Sequence, residues 1–397
     1  MSALHDLRVL DFSRVLAGPF ATMMLGDLGA TVLKVERPGV GDETRAWGPP
    51  FDADGAATYF QAVNRNKRSL ALDLQSDADR ELAVRLATEA DVLIENFRPG
   101  VLERLGLGYP ACRERNPGLV YCSITGFGAD AGARLPGYDL LIQAMGGLMS
   151  ITGAADGDPQ KVGVALVDVL AGLFATTGIL AALHEREHSG EGQRVEVSLF
   201  SALLGSLVNQ GSGFTIAGVV PGRMGNDHPS IAPYGLFRAA DGELVLAVGN
   251  DRQFETLCNV LGAAELAVDH RFVTNADRVV NRAELVPELE ARLAASPAAV
   301  WASALIELGV PAGVVNDVAG AFAFAESIGL EPTVDVPRVP DGPTGAAPDA
   351  VRLTRNPIEL SRTPAQYRSA PPRMPNGRGT GETAGPTDLW TAGPENP

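Results

Sequence analysis

Apolar runs typical of strands alternate with longer segments typical of helices through the first 200 residues of this 397-residue chain. The strand-like runs lie at residues 7–12, 31–36, 70–74, 92–94, 119–124 and 194–199. Strands that alternate with helices of about ten residues or more indicate βαβ units and a mostly parallel sheet. The predicted fold class is therefore α/β, with ligands expected beyond the carboxyl ends of the strands.

This alternation predicts a large domain over residues 1–200, followed by a linker over residues 201–224. Residues 234–238 and 243–248 then flank a short polar turn, which is the pattern of a β-hairpin. Because helix-like segments follow the hairpin, we predict a smaller α+β domain over residues 225–330.

Proline is dense at the end of the chain, where residues 331–397 hold 13 of the 28 prolines. Such a segment is either a flexible tail or an extended stretch that packs on a domain. The apolar residues at 351–353 and 358–360 favour an extended stretch that returns to the large domain.

The overall charge limits the partners of the chain. A formal net charge of −16 argues against binding to nucleic acid or to an anionic membrane surface. Residues 162–183 are apolar and long enough to span a bilayer, but they include the charged residue Asp168. Since an aspartate near the centre of a span costs about 2.5–3.5 kcal/mol, we interpret the run as a core helix.

Several common kinds of site are missing from the sequence. The chain has no G-x-G-x-x-G, no P-loop, no H-E-x-x-H and no G-x-S-x-G motif, and its five histidines do not cluster, so no metal site is predicted. Its three cysteines form no paired spacing, and residues 1–6 lead into a strand without a signal-type apolar block. We therefore expect a cytoplasmic protein.

Two carboxylates open apolar segments and are candidates for catalysis. Asp168 is the one charge in residues 162–183, and Asp139 precedes another apolar run. At a helix N-terminus, free N–H groups and the helix dipole would hold Asp168 ionised, as a poorly solvated nucleophile. Alternatively, Asp168 is an N-cap or a buried ion-pair partner, and Asp139 caps the helix that follows it.

Basic and aromatic residues after two predicted strands suggest a phosphate site. Arg37 follows residues 31–36, and Asn96, Phe97 and Arg104 follow residues 92–94. An arginine beside helix N-termini can bind phosphate, and Phe97 could cover an aromatic base. Each of these residues could equally belong to an ordinary surface.

An ordered set of short blocks makes the chain resemble class III CoA-transferases, the CaiB/BaiF family. The blocks are residues 11–19 (DFSRVLAGP), 26–30, 34–39, 66–69, 95–100, 137–139, Asp168 within its apolar run, and 190–193. The resemblance implies a Rossmann-like large domain, a small domain, and two chains interlocked as a homodimer. It also implies transfer of coenzyme A from an acyl-CoA to a free carboxylic acid, with no tightly bound cofactor and no metal.

The same resemblance gives roles to individual residues. Asp168 matches the family's nucleophile, which forms a mixed anhydride and then an aspartyl-CoA thioester, and Asp139 matches an acidic residue beside it. The positions that match contacts to coenzyme A are Val15, Ala17, Arg37, Leu72, Gln75, Asn96, Phe97, Arg104 and Tyr138. At Gln75 some relatives carry a basic residue instead.

Two other functions stay open: racemisation of 2-methylacyl-CoA within the same family, and acyl-CoA binding without catalysis. The racemases carry a histidine at the position of Tyr138, and a tyrosine is a poor base near neutral pH.

Leu16 stands where some relatives have glutamine, which predicts a less polar acyl pocket. Arg14 or Arg223 is a candidate to bind a second carboxylate, so we expect a short dicarboxylic acid as one substrate.

Overall fold

A computed structural model describes residues 2–52, 55–338, 350–374 and 389–390. The chain divides into two compact units. The first unit comprises residues 1–148, 162–218 and 331–397, and the second comprises residues 149–161 and 219–330.

The first unit is built on a six-stranded sheet in which every neighbouring pair is parallel. Its strands are β1 (Arg8–Asp11), β2 (Thr31–Glu36), β3 (Lys67–Ala71), β4 (Val92–Glu95), β5 (Val120–Thr125) and β6 (Arg194–Ser198). The strand order β3-β2-β1-β4-β5-β6 is that of a Rossmann fold. The predicted α/β class and parallel sheet are confirmed.

Helices connect these strands or follow the last of them. They are α1 (Ala17–Asp27), α2 (Thr58–Ala62), α3 (Asp77–Glu89), α4 (Val101–Arg104), α5 (Tyr109–Arg115), α6 (Asp139–Met145), α7 (Leu148–Ile151), α8 (Leu166–Ser189), α9 (Leu199–Ser206) and α10 (Val208–Ala217), and α7 spans the boundary in the chain between the two units. Successive strand residues face opposite layers: Val9 packs with α1 and α8, whereas Leu10 packs with α3.

Helix α8 is the one described helix that is long and apolar enough to cross a membrane. Its residues Ala171, Ala175 and Ile179 are fully buried in the core against α1 and the sheet. Gly172 lies at the crossing of α8 with α1, where an added Cβ would come within 2.7 Å of the Ala17 carbonyl oxygen. One face of the apolar run thus packs in the core of the first unit.

Several strand boundaries differ from those predicted, and the largest shift is at β3. Strand β3 begins at Lys67 rather than at residue 70, because the Lys67 ammonium is buried and donates to the carbonyl of Pro19 and to Asn64 Oδ1. A residue that looks polar in sequence therefore lies inside the sheet. Helix α1 begins at Ala17, since a proline in the first turn of a helix, here Pro19, is tolerated.

The second unit has its own sheet and core. Its antiparallel strands are β7 (Tyr234–Arg238), β8 (Glu243–Ala247) and β9 (Ala312–Val314), and its helices are α11 (Asp251–Val260), α12 (Ala264–Val268), α13 (Asn275–Val280), α14 (Arg282–Leu293), α15 (Ala298–Glu307) and α16 (Val318–Ser327). The hairpin predicted around residues 239–242 is present as β7 and β8.

The C-terminal segment belongs to the first unit and contacts the end of its helix α1. Strands β10 (Thr333–Pro337) and β11 (Ala350–Thr354) form an antiparallel pair. Beyond them the side chain of Asn356 donates to Asp27 Oδ2 at 3.0 Å, and the guanidinium of Arg368 donates to three backbone carbonyls at the end of α1 and beyond it.

The Asp27 carboxylate joins this segment to the core of the first unit. It is fully buried and accepts hydrogen bonds from Arg65 at 2.6 and 2.9 Å, from Asn66 at 2.7 Å and from Asn356. Asp27→Asn should lower the free energy of unfolding by about 3 kcal/mol, because it leaves the buried guanidinium of Arg65 without its counter-charge.

Urea unfolding measures this loss. Asp77→Asn is the matched control, because Asp77 pairs with Arg80 on the surface and its side chain is 86 % exposed. The control should change the free energy of unfolding by less than about 1 kcal/mol. Equal effects of the two substitutions would show that the Asp27 cluster does not anchor the segment.

Candidate active site

A cavity of about 340 Å³ opens at the carboxyl ends of the parallel strands of the first unit. Loops after β1, β4 and β5 line it, together with Asp168 of α8 and Leu199 at the start of α9. Strands β1 and β4 are neighbours from which the chain order runs in opposite directions across the sheet. Parallel sheets bind ligands at such a point.

Asp168 is the third residue of α8 and lies half-buried on the cavity wall. Helix α8 has no side-chain cap from its own N-cap residue, Ala165. Asp139 supplies the cap instead: its Oδ1 accepts the backbone N–H of Val167 at 2.8 Å and that of Asp168 at 3.3 Å. The first free N–H groups of α8 are therefore taken by Asp139, not by the carboxylate of Asp168.

Gln143 fixes the position of Asp139. Its Nε2 donates to Asp139 Oδ2 at 2.6 Å, and its Oε1 accepts the backbone N–H of Val162 at 2.9 Å. The side chain of Gln143 is fully buried, so both of its polar atoms are used inside the protein. Asp139 lies in the first turn of α6 but caps α8, which differs from the predicted cap of its own helix.

The surroundings of Asp168 raise its pKa to about 7, first through burial and then through the charge of Asp139. The expectation that the helix N-terminus would keep Asp168 ionised is wrong in this respect, because Asp139 accepts the N–H groups concerned. No side chain or backbone group among the described residues donates to the Asp168 carboxylate. When ionised, it is a poorly solvated anion that faces a cavity, which suits a nucleophile.

The loop after β1 forms another part of the cavity wall and has a strained backbone. Val15 has a φ of +70°, which is rare for a β-branched residue, and its N–H donates to the Asp42 carboxylate at 3.2 and 3.3 Å. The amide of Asn96 holds the preceding residue: it accepts from Arg14 N at 2.9 Å and donates to Arg14 O at 2.7 Å.

Buried charges behind this loop keep it in place. The ammonium of Lys34 contacts Asp42 at 3.0 Å and donates to the Ser13 carbonyl at 2.7 Å. Lys67 contacts Asp11, whose pKa is lowered because these two lysines and nearby hydroxyls outweigh the effect of burial. Burial in turn lowers the pKa of Lys67 to about 8. All four charged side chains are inaccessible to solvent.

Comparisons with known proteins agree on one family. Residues 4–377 match CoA-transferase family III. The chain belongs to this family. It is 42 % identical to a succinate–glutarate CoA-transferase of Agrobacterium fabrum, over 94 % of this chain and 92 % of the relative. It is 41 % identical to a succinyl-CoA:mesaconate CoA-transferase of Haloarcula hispanica, over 91 % of both chains.

A solved structure extends the likeness to the fold. A CaiB/BaiF family protein from Brucella suis is 44 % identical, covers 94 % of this chain and 96 % of its own, and superposes with a TM-score of 0.81. The resemblance noted in the sequence is thereby confirmed, and this CoA-transferase is an enzyme that takes CoA thioesters as co-substrates.

The cavity of the CoA-transferase brings together part of the predicted site. The predicted residues that line it are Val15, Ala17, Asn96, Phe97, Tyr138 and Asp168. Arg37 and Leu72 directly follow β2 and β3 at the same edge of the sheet but do not line this cavity. Gln75 and Arg104 are exposed and also lie outside it. The roles of all the predicted site residues stay predictions.

Sequence reasoning missed several residues of the site. Gln143 carried a usable signal, since it lies four residues after Asp139 on one helix, a spacing at which side chains meet. Asp42 and Tyr59 carried none. The pKa of Tyr59 is raised to about 12, first by burial and then by the charges of Asp168, Asp139 and Asp42. Its ring packs in the same apolar cluster as Ala165 and Val169.

Asp168→Asn should stabilise the enzyme, and more at pH 8 than at pH 5. The folded pKa of about 7 exceeds the ordinary value of 3.8, so the folded state binds more protons between these values and the stability of the wild type falls as pH rises through them. The asparagine has no such charge to bury. Urea unfolding at both pH values tests this, and a gain that is the same at pH 5 and pH 8 would contradict the raised pKa.

Proposed function

We propose that this enzyme transfers coenzyme A between carboxylic acids with Asp168 as the covalent nucleophile. A carboxylate oxygen of Asp168 attacks the thioester carbonyl of an acyl-CoA and releases the CoA thiolate, which leaves a mixed anhydride. The thiolate then attacks the aspartyl carbonyl, so that the donor acid departs and an aspartyl-CoA thioester remains. The acceptor acid reverses these two steps and regenerates the Asp168 carboxylate.

The observation that carries this proposal is that, of two neighbouring carboxylates, one is fully hydrogen-bonded and the other faces the cavity without hydrogen bonds from the described part of the chain. Asp139 accepts three hydrogen bonds, from Val167 N, Asp168 N and Gln143 Nε2, so its oxygens are occupied. Asp168 faces the cavity and accepts none from the described residues. Asp139 is therefore the positioning residue, and Asp168 is the group free to attack.

Part of the cavity wall is apolar. Side chains from Val15, Leu16, Ala17, Phe127 and Leu199 line the cavity along with Asp168, and polar and charged side chains line the rest. A mixed anhydride is hydrolysed readily in water, so the apolar part of the wall would limit the access of water from its side. The loop with Asn96 and Phe97 supplies surface for coenzyme A, which binds as a co-substrate and not as a resident cofactor.

Short dicarboxylic acids are the substrate class that we propose. The two relatives described above are named for succinate, glutarate and mesaconate, each a small diacid. A cavity of about 340 Å³ has the size for one small acyl group beside the thioester. Which of these acids is the donor and which the acceptor is decided by a panel of acyl-CoA esters and acids with mass-spectrometric detection.

Asp168→Asn should reduce turnover at least ~10³-fold, because it removes the nucleophile but keeps the size of the side chain. Affinity for coenzyme A should be unchanged. Asp139→Asn is the comparison and should have a smaller effect, since it alters the position of α8 without removing the reacting group. Near-normal turnover of Asp168→Asn would refute the mechanism. A separate measurement tests the racemase: deuterium exchange at Cα of a 2-methylacyl-CoA in heavy water would favour that function instead.

A homodimer in the cytoplasm is part of the proposal. Helix α10 has no buried residue and exposes large apolar side chains, with Val208 73 %, Phe214 57 % and Ile216 85 % exposed. Such a surface is typical of an interface between chains. The three cysteines are free and buried, in keeping with a reducing compartment.

Light scattering tests the association of the two chains. We expect twice the mass of one chain, unchanged on dilution to nanomolar concentration, because interlocked chains separate only when one unfolds. A folded species with the mass of one chain at low concentration would contradict the dimer.

A further inference from the structure

An ion pair in the cavity is not used by the mechanism above. Arg14 and Glu43 both line the cavity, and Arg14 NH1 donates to Glu43 Oε1 at 2.8 Å. The guanidinium lies against the ring of Phe97, with its carbon 5.3 Å from the ring centroid. The Nε of Arg14 is buried and has no acceptor among the described residues. The donors of Arg14 are thus only partly satisfied.

The described lining of the cavity has few cations that could pair with a second carboxylate of a substrate. When one carboxyl group of a diacid reacts at Asp168, its second carboxylate remains in the same cavity. A carboxylate out of bulk water needs a cation or several hydrogen-bond donors. The described cations that line the cavity are Arg14 and Arg98, and Arg98 is exposed to solvent whereas Arg14 is partly buried.

The Arg14–Glu43 pair is of a kind that a ligand can exchange. The two side chains are 42 % and 44 % exposed, and ion pairs in such surroundings contribute only about 0–1 kcal/mol. A diacid carboxylate can bind a guanidinium through two parallel hydrogen bonds, which are stronger than one contact with Glu43. The Glu43 carboxylate that is displaced is 44 % exposed, so water can solvate it.

The backbone holds Arg14 at a fixed place in the wall. Asn96 bonds both the N–H and the carbonyl of Arg14, and Asp42 holds the strained Val15 next to it. A binding group that selects substrates by their length must stay at a fixed distance from the nucleophile. Arg14 meets this requirement through its backbone and through its packing on Phe97.

We propose that Arg14 binds the second carboxylate of a dicarboxylic substrate and that Glu43 occupies its guanidinium until the substrate arrives. This assignment rests on the proposed function, since it concerns the acid that reacts at Asp168. It makes Arg14 the residue that distinguishes diacids from monoacids.

The test compares glutarate with pentanoate, a monoacid of the same chain length. In Arg14→Gln the KM for glutarate should rise about 10–100-fold, the loss expected for charged hydrogen bonds, while the KM for pentanoate stays unchanged. Arg14→Lys should recover part of the preference. Glu43→Gln should lower the KM for glutarate, because the competing carboxylate is gone.

Two controls separate this proposal from its alternatives. Arg113→Gln removes an exposed arginine that pairs with Glu191 at 3.4 Å and does not line the cavity, so it should leave both KM values unchanged. Affinity for coenzyme A alone should be the same in Arg14→Gln and in the wild type. A parallel rise of both KM values, or a loss of coenzyme A affinity, would overturn the assignment and give Arg14 a role in binding coenzyme A.

Calorimetric titration of glutarate into the wild type and Arg14→Gln, each with saturating coenzyme A, tests the contact without turnover. Weaker glutarate binding in the variant supports the assignment even if no transfer occurs. Equal binding refutes it even if transfer is normal. Failure of this proposal is therefore distinguishable from failure of Asp168 as the nucleophile.

Discussion

The hydrogen bonds from the first turn of α8 to the Asp139 carboxylate determine the character of the whole site. They satisfy backbone N–H groups that would otherwise solvate Asp168, and they put a negative charge next to it. Burial and this charge together raise the pKa of Asp168 to about 7. The ionised form therefore costs free energy, and the same feature makes it reactive. Stability and reactivity at Asp168 oppose each other for one physical reason.

The loop after β1, which forms part of the cavity wall, is held by charged side chains that are inaccessible to solvent. Lys34 is bonded to both Asp42 and the Ser13 carbonyl, and Asp42 in turn holds the strained N–H of Val15. A buried pair of this kind contributes little net stability but costs several kcal/mol when one partner is lost. Its value here is geometric, because it holds the loop after β1 at a fixed position in the cavity wall.

The sequence predicted what depends on local pattern. Alternating apolar runs predicted the parallel sheet, and the lone charge in the run around Asp168 marked the residue that lines the cavity. The predicted start of β3 was wrong because the burial of Lys67 depends on its contact with Asp11, which is 56 residues away. Two further contacts also join distant segments of the chain. Asp139 caps α8 although it lies 28 residues before Val167, and Asn96 forms hydrogen bonds with the backbone of Arg14. No local pattern encodes them.

The most direct test of the account is chemical trapping on Asp168. The enzyme is incubated with succinyl-CoA without an acceptor acid, treated with hydroxylamine, digested and examined by mass spectrometry. An anhydride or thioester at Asp168 reacts with hydroxylamine, so the account predicts a hydroxamate on the peptide that contains Asp168, and none in Asp168→Asn. An unmodified peptide from an enzyme that transfers coenzyme A under the same conditions would contradict the covalent role of Asp168.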